Sequence, residues 1–451
     1  MNDDDPRNVR RALDWFLSFL ETGEWTERKV EIEAHLQSIH PFGQSGAVAN
    51  SHSPVSTALD TIHWYLYLAE NALTSAAKRE PTQHARILPV LARLGAELDV
   101  LREVEGAAEK AADLLRNRPE RADSTLFEFL VATLWKRNGW PTVSFVPESA
   151  TAKTPDLIAQ SSKSRWAIEC KRLSKGSDYS ARERMKWLRL WCPLSRWLVE
   201  HGQAVVLDIV FHVELETLPD EFVVDELRGK LPLLAVYPSH IISSDVWDVE
   251  VALVDFDRAA AHLSRYYVKC PSAQMAELIA GRRDPNRGFT YVYGGKTVTQ
   301  GTGHVFDKFM DTMDFAAGAF WHCDAARSIE IKARDVRRRL ADAVRQLPED
   351  LPSAVHVGLE TLDGVAVEAE RYRRIFDTVS QFDVGDKPLK WVFCHLFQSY
   401  ALPDRDWVLD ETVYYFATES ALTDQPLEHF GAIVSKSEFS SSGVHWLRDP
   451  P

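Results

Sequence analysis

Residues 155–171 read Pro155-Asp156-Leu157-Ile158-Ala159-Gln160-Ser161-Ser162-Lys163-Ser164-Arg165-Trp166-Ala167-Ile168-Glu169-Cys170-Lys171. Asp156 to Gln160 is a short apolar run and Ser161 to Ser164 a turn. Arg165 to Lys171 alternates like a half-buried strand. Side chains on a strand change face with a period of two, so Trp166, Ile168 and Cys170 share an apolar face. Glu169 and Lys171 share the other. A hairpin turning at Ser161 to Ser164 carries Asp156 close to Glu169.

The flanks extend the pattern. Asp123 or Ser124 is expected to cap a helix running to Arg137, with Asn138-Gly139 ending it. Trp140 to Val146 is β-rich. Ala181 to His201 reads as a long amphipathic helix, kinked or split at Pro193 and stopped by Gly202. Ala204 to Leu215 is a strongly apolar strand. The expected order is helix, three strands, helix, strand.

Two carboxylates held close together raise each other's pKa and call for a neutralising charge. A hard divalent cation is the usual answer, and Mg2+ prefers oxygen ligands, water and substrate phosphate. Asp156, Glu169 and the backbone carbonyl of Cys170 match that demand. Lys171 is then placed to orient or deprotonate a water, or to hold a phosphate oxygen as charge develops. These parts describe metal-assisted hydrolysis of a phosphodiester. The competing reading makes Glu169 and Lys171 a solvated ion pair and Asp156 a turn residue after Pro155.

Pro155-Asp156 followed by Glu169-Cys170-Lys171 resembles the motif of the PD-(D/E)XK nucleases, the restriction-endonuclease-like superfamily. The element order from Asp123 to Leu215 resembles that family's αβββαβ core. The resemblance implies Asp156 and Glu169 as metal ligands, Lys171 as the catalytic lysine, and an acidic residue from the first helix. Glu128 matches best there, ahead of Glu120 and Asp123, although a glutamate at the edge of an apolar helix face is also commonly just solvated. The implied cofactor is Mg2+, with Mn2+ able to substitute. The resemblance covers about a fifth of the chain.

The 451 residues are 45% hydrophobic and 10% aromatic, an ordinary globular composition that excludes whole-chain disorder. Residues 1–120 read as a helical domain, with helices at 9–20, 61–77 and 85–115, a Gly/Ser/Pro-rich loop at 43–56 and a hinge at Arg118-Pro119. Residues 121–216 are the expected nuclease core. Residues 217–451 read as a mixed α/β region for specificity or partner binding. That region holds a hairpin over 290–299 turning at Gly294-Gly295, a basic helix over 329–346, strands at 355–360 and 390–400, and a helix at 367–379 between them. The fold class is therefore α/β.

Five scattered cysteines without a C-x-x-C, an acidic polar start and no run of 18 apolar residues lead to the expectation of a cytoplasmic protein without disulfides or a membrane span. The net charge of -14 argues against a nonspecific nucleic-acid coat. Its distribution is uneven, because Lys163 to Trp197 carries ten basic residues against three acids. Lys163, Arg165, Arg172, Lys175, Arg182, Arg184, Lys186 and Arg189 are the candidate nucleic-acid contacts. Trp187, Trp191 and Trp197 at helical spacing read as core more than as base-stacking rings. A second basic stretch, Arg327 to Arg345, suits a plain surface or a protein partner.

Gly294-Gly295-Lys296-Thr297 resembles the end of a phosphate loop, but Thr290 stands where the earlier glycine is required, so no NTPase site is expected. Trp321-His322-Cys323 and Cys394-His395 lack metal-ligand spacing and read as core. The expected activity is an Mg2+-dependent endonuclease acting on DNA rather than RNA, with a protein partner or a homo-oligomer compatible with the flanking regions. A prokaryotic restriction or antiviral defence effector is the analogy at fold level. The alternatives are an RNase using the same residues and a non-catalytic nucleic-acid-binding scaffold.

Overall fold

The computed structural model describes residues 5–38, 48–50, 60–75, 81–147, 154–173, 178–232, 240–284, 287–300, 307–333, 335–361, 365–380, 388–400, 408–417 and 425–434. The chain opens with α1 (Pro6–Leu17), α2 (Glu24–Ser38), β1 (Val48–Asn50), α3 (Thr61–Thr74), α4 (Pro81–Ala96), α5 (Leu98–Arg102) and α6 (Ala107–Arg116). A 3-10 turn, Pro119–Arg121, leads into α7 (Ala122–Arg137), β2 (Thr142–Phe145), β3 (Leu157–Gln160), β4 (Arg165–Leu173), α8 (Asp178–Glu200) and β5 (Val205–Phe211). Then come α9 (Phe222–Leu227), β6 (His240–Ser243), β7 (Trp247–Leu253), α10 (Phe256–Leu263), β8 (Val268–Lys269), α11 (Ala273–Ala280), β9 (Gly288–Thr299) and β10 (Lys308–Cys323). The last elements are α12 (Ala326–Lys332), α13 (Asp335–Val344), β11 (Ser353–Glu360), α14 (Val365–Ser380), β12 (Leu389–Tyr400) and β13 (Val408–Ala417).

The strands form two mixed sheets, one of six in the order β13-β12-β11-β4-β3-β2 and one of seven built on β1-β9-β10-β5-β7-β6 with β8 on β10. The fold is mixed α/β. In the six-stranded sheet β2, β3 and β4 form an antiparallel meander, and β4 runs parallel to β11, which runs parallel to β12. The alternation of β4 is as expected. Trp166, Ile168 and Cys170 face a core made with α7 and the N-terminal helices. The opposite face of the sheet meets α13, with Leu340, Ala343 and Val344 packed on Val355, Val357 and Leu359. Every residue of α7 from Thr125 to Trp135 is buried, because helices lie on one side of it and the sheet on the other.

One expected element goes elsewhere. The strand after α8 is expected to complete the αβββαβ core, but β5 is a central strand of the other sheet, parallel to β10 and antiparallel to β7. At about 1.5 Å per residue, α8 is roughly 34 Å long and carries the chain out of the first sheet. The place beside β4 is filled by β11, whose run Ser353-Ala354-Val355-His356-Val357-Gly358-Leu359 is buried throughout, as a strand covered on both faces must be. The expected contiguous αβββαβ order from Asp123 to Leu215 is thus not one sheet.

Smaller departures have local causes. The hairpin of 290–299 does not turn at Gly294-Gly295. β9 runs straight through the pair and opposes β10 with register shifts at Met310/Thr312 and Met313/Phe315. Gly295 has φ +150°, and a Cβ there would lie 2.0 Å from the Thr312 carbonyl oxygen, so the glycine serves a bulge and a close backbone approach. The helix α8 continues through Pro193 without a break. The basic helix of 329–346 is two helices, α12 and α13. The helical stretch 85–115 is divided into α4, α5 and α6, and Asp123 lies inside the first turn of α7 rather than capping it. Of the loop expected at 43–56, residues 48–50 pair with β9 as β1, and the rest lies outside the described residues. All five cysteines are free, and among the described residues no helix is long and apolar enough to cross a membrane.

Candidate functional site

The β3–β4 ladder pairs Leu157 with Ile168 and Ile158 with Ala167. Carried one residue further, it sets Asp156 opposite Glu169, and directly opposed residues of an antiparallel pair share a face. Asp156 lies at the mouth of β3, where its carbonyl accepts from the Val146 N–H at 3.0 Å and its Oδ2 accepts from the Cys170 N–H at 2.7 Å. Its carboxylate is therefore tied to the strand that carries Glu169 and Lys171.

Asp156, Cys170, Lys171 and Glu128 line one cavity of about 460 Å3 at this end of the sheet. Glu169 does not line it: the residue has no exposed surface and is bonded by the Lys171 ammonium. Lys171 Nζ also donates to Gln346 Oε1, just beyond α13, at 3.2 Å. Glu128 projects from α7, and its Oε2 is 2.5 Å from Lys110 Nζ of α6. The hairpin, α7, α6 and the end of α13 meet here.

The electrostatics follow from burying more negative charge than the two lysines match. Burial, and next the charge of Asp156, push the Glu169 carboxyl up to about 8 against the opposing pull of Lys171. The same two causes raise Glu128 to about 7, with Lys110 opposing. For Lys171, burial works against the charge, but Glu169 outweighs it and the net shift is upward. Lys110 is raised in the same way by Glu128.

The donor chemistry suits a hard cation. Glu169 Oε2 is buried without a hydrogen-bond partner, and carboxylate and carbonyl oxygens are the ligands Mg2+ accepts, leaving its other positions to water and phosphate. The set is small. Among the described residues no group of three or more His, Cys, Asp or Glu side chains is arranged to hold a metal ion.

The basic residues singled out from sequence are spread over two places. Arg172 lines the cavity, donates to Glu360 Oε1 at 2.8 Å and lies over the Phe397 ring at 5.0 Å. Gly358 on β11 makes room for it, because a Cβ there would come within 3.0 Å of Arg172 Cδ and 2.9 Å of Phe127. Lys163 and Arg165 are exposed at the β3–β4 turn and the start of β4. Lys175 lies outside the described residues. Arg182, Arg184, Lys186 and Arg189 sit on α8, which packs on the seven-stranded sheet through Trp187, Leu190, Trp191 and Leu194. Lys186 is buried and paired with Asp220, and Arg189 is 3.3 Å from Glu216. Arg182 lies over the Tyr179 ring at 5.9 Å.

Among the cavity residues that escaped the sequence reading are Lys110, Arg118, Arg121 and Gln346. The only trace of them was the pair of arginines around Pro119, just before the helix that carries Glu128. Asp123, a weaker candidate for the site, instead bonds Tyr65 and Arg86, and Arg86 reaches on to Glu360 at 2.7 Å. Glu120 is half exposed and 4.0 Å from Arg121. Cys394 and His395 are core, as expected. Comparison with known protein families, curated proteins and solved structures found no match.

Proposed function

We propose that this chain is a metal-dependent nuclease of the PD-(D/E)XK type, hydrolysing phosphodiester bonds in DNA. The observation that carries the reading is the meeting of Asp156, Lys171 and Glu128 around one cation-rimmed cavity, with the buried Glu169 bonded to Lys171. Asp156, Glu169 and the Cys170 carbonyl would hold Mg2+, with Mn2+ substituting. When bound, the ion supplies charge neutralisation and Lewis acidity at the scissile phosphoryl group.

The chain's own residues divide the remaining work. Lys171 keeps its proton, because Glu169 holds its pKa up. It therefore holds a phosphoryl oxygen as negative charge builds, and does not act as the base toward water. Gln346 fixes the direction of that ammonium. Glu128, with a pKa near neutrality, can hold or release a proton at the far wall. Lys110 balances the charge of Glu128 when the carboxyl is ionised.

The test is cleavage of plasmid and linear DNA in Mg2+ by the wild type, Asp156→Ala and Lys171→Ala. Each substitution is expected to lower the rate by roughly a hundredfold or more. Unchanged cutting by both variants rules the assignment out, and a parallel RNA panel decides between DNase and RNase. The pairing of both buried glutamates with lysines favours a second reading, a non-catalytic nucleic-acid binder on the same scaffold. Calorimetry separates the two, since the scaffold takes up no Mn2+.

A further inference from the structure

Part of the cavity lining comes from α6 and the segment that joins it to α7. Lys110 on α6, with Arg118 and Arg121 at either end of the 3-10 turn, lines the cavity together with Lys171 and Arg172. Among the described residues, five cations thus line the cavity with three acids, Asp113, Glu128 and Asp156, in a chain whose total charge is -14. Among the described residues no lining side chain is aromatic, so these walls offer no ring on which a base stacks. The Gln346 carboxamide already accepts from Lys171. A group that reaches Asp156 and Lys171 is the scissile phosphate, and whatever lies beside it along a strand is backbone.

Arg118 and Arg121 are accessible to such a backbone. Arg118 Nε is 3.3 Å from Asp113 with 35% of its side chain exposed, and Arg121 Nε is 4.0 Å from Glu120 with 53% exposed. Exposed pairs of this kind contribute about 0–1 kcal/mol, and a phosphate binds a guanidinium through stronger bidentate hydrogen bonds. The helix α8, which carries other candidate cations, packs its apolar face instead on the seven-stranded sheet.

We infer that Arg118 and Arg121 hold the phosphates flanking the scissile bond, so that the site reads backbone charge and not base identity. The inference rests on the nuclease reading and names its substrate contact. Each phosphate contact releases condensed counterions, and losing one lowers the slope of log affinity against log salt by about one, equally for all sequences.

The experiment titrates the full chain with fluorescent oligonucleotides of unrelated sequences, single- and double-stranded, in Ca2+ across a salt series. Arg118→Ala and Arg121→Ala are each expected to weaken binding several-fold, by one factor on every probe, and to lower the salt slope by about one. Arg118→Lys and Arg121→Lys keep the slope. Arg228→Ala, the same charge change at an exposed residue just after α9, leaves both quantities alone. Thermal melts check that each variant is folded, and the lysine variants carry the test if an alanine variant is not. An unaltered slope in the alanine variants, or a loss confined to particular sequences, overturns the inference while a cutting wild type keeps the nuclease reading. A wild type that neither binds nor cuts any probe removes both.

Discussion

Glu169 has no exposed surface, and burial together with the charge of Asp156 pushes its carboxyl up to about 8. A carboxyl raised above its unfolded value of 4.5 costs nothing below that pH, where both states are protonated. As pH rises further, the unfolded chain ionises while the folded one does not, and stability falls by about 1.4 kcal/mol per pH unit until about pH 8. Glu128 acts in the same sense up to about 7. In chelator, the melting temperature is therefore expected to fall between pH 5 and 8. Glu169→Gln should flatten the part between 7 and 8, and a divalent cation should restore stability at the alkaline end of the wild-type curve. Parallel curves for variant and wild type would refute this account of the residue. The pairing of Glu169 with Lys171 followed from strand alternation alone. The partner of Glu128 did not, because Lys110 lies on a separate helix and only packing brings the two together.

Strands and helices that depend on neighbouring residues were legible. The β3–β4 hairpin follows from an apolar run, a serine turn and an alternating run, and α7 ends where Asn138-Gly139 stands. Gly294-Gly295 was misread as a turn because the same dipeptide serves turns and bulges, and the choice depends on the opposing strand. At Gly295 that strand brings a carbonyl oxygen to 2.0 Å from where a Cβ would be. Gly295→Ala is expected to destabilise the β9–β10 pair by about 1–3 kcal/mol. Denaturant titration checks it, and a midpoint within error of the wild type would contradict the bulge assignment.

Across the whole molecule, the six-stranded sheet is assembled from two distant stretches of the chain, 142–173 and 353–417. Trp135 donates to His356 at 3.0 Å, His356 pairs with His395 at 2.9 Å, and His395 with Glu411 at 2.8 Å, a buried line running from α7 through β11 and β12 to β13. Glu411 also accepts from the backbone N–H groups of Ala432, Ile433 and Val434. The segment 121–216 alone therefore lacks the strand beside β4 and exports β5 to another sheet. Expressed by itself, it is expected to lack a cooperative thermal transition, whereas the full chain has one; a sharp melt of the fragment by calorimetry would contradict this. The motif hairpin, the helix α7 and the mixed α/β class could be read from the residues, because period-two alternation, turn chemistry and helix ends are local properties. Which strand lies beside β4, and which cations rim the cavity, could not. An apolar run such as Val205–Phe211 or Ser353–Leu359 suits any buried sheet position, and its choice of neighbour is made by long-range packing, which no local pattern records.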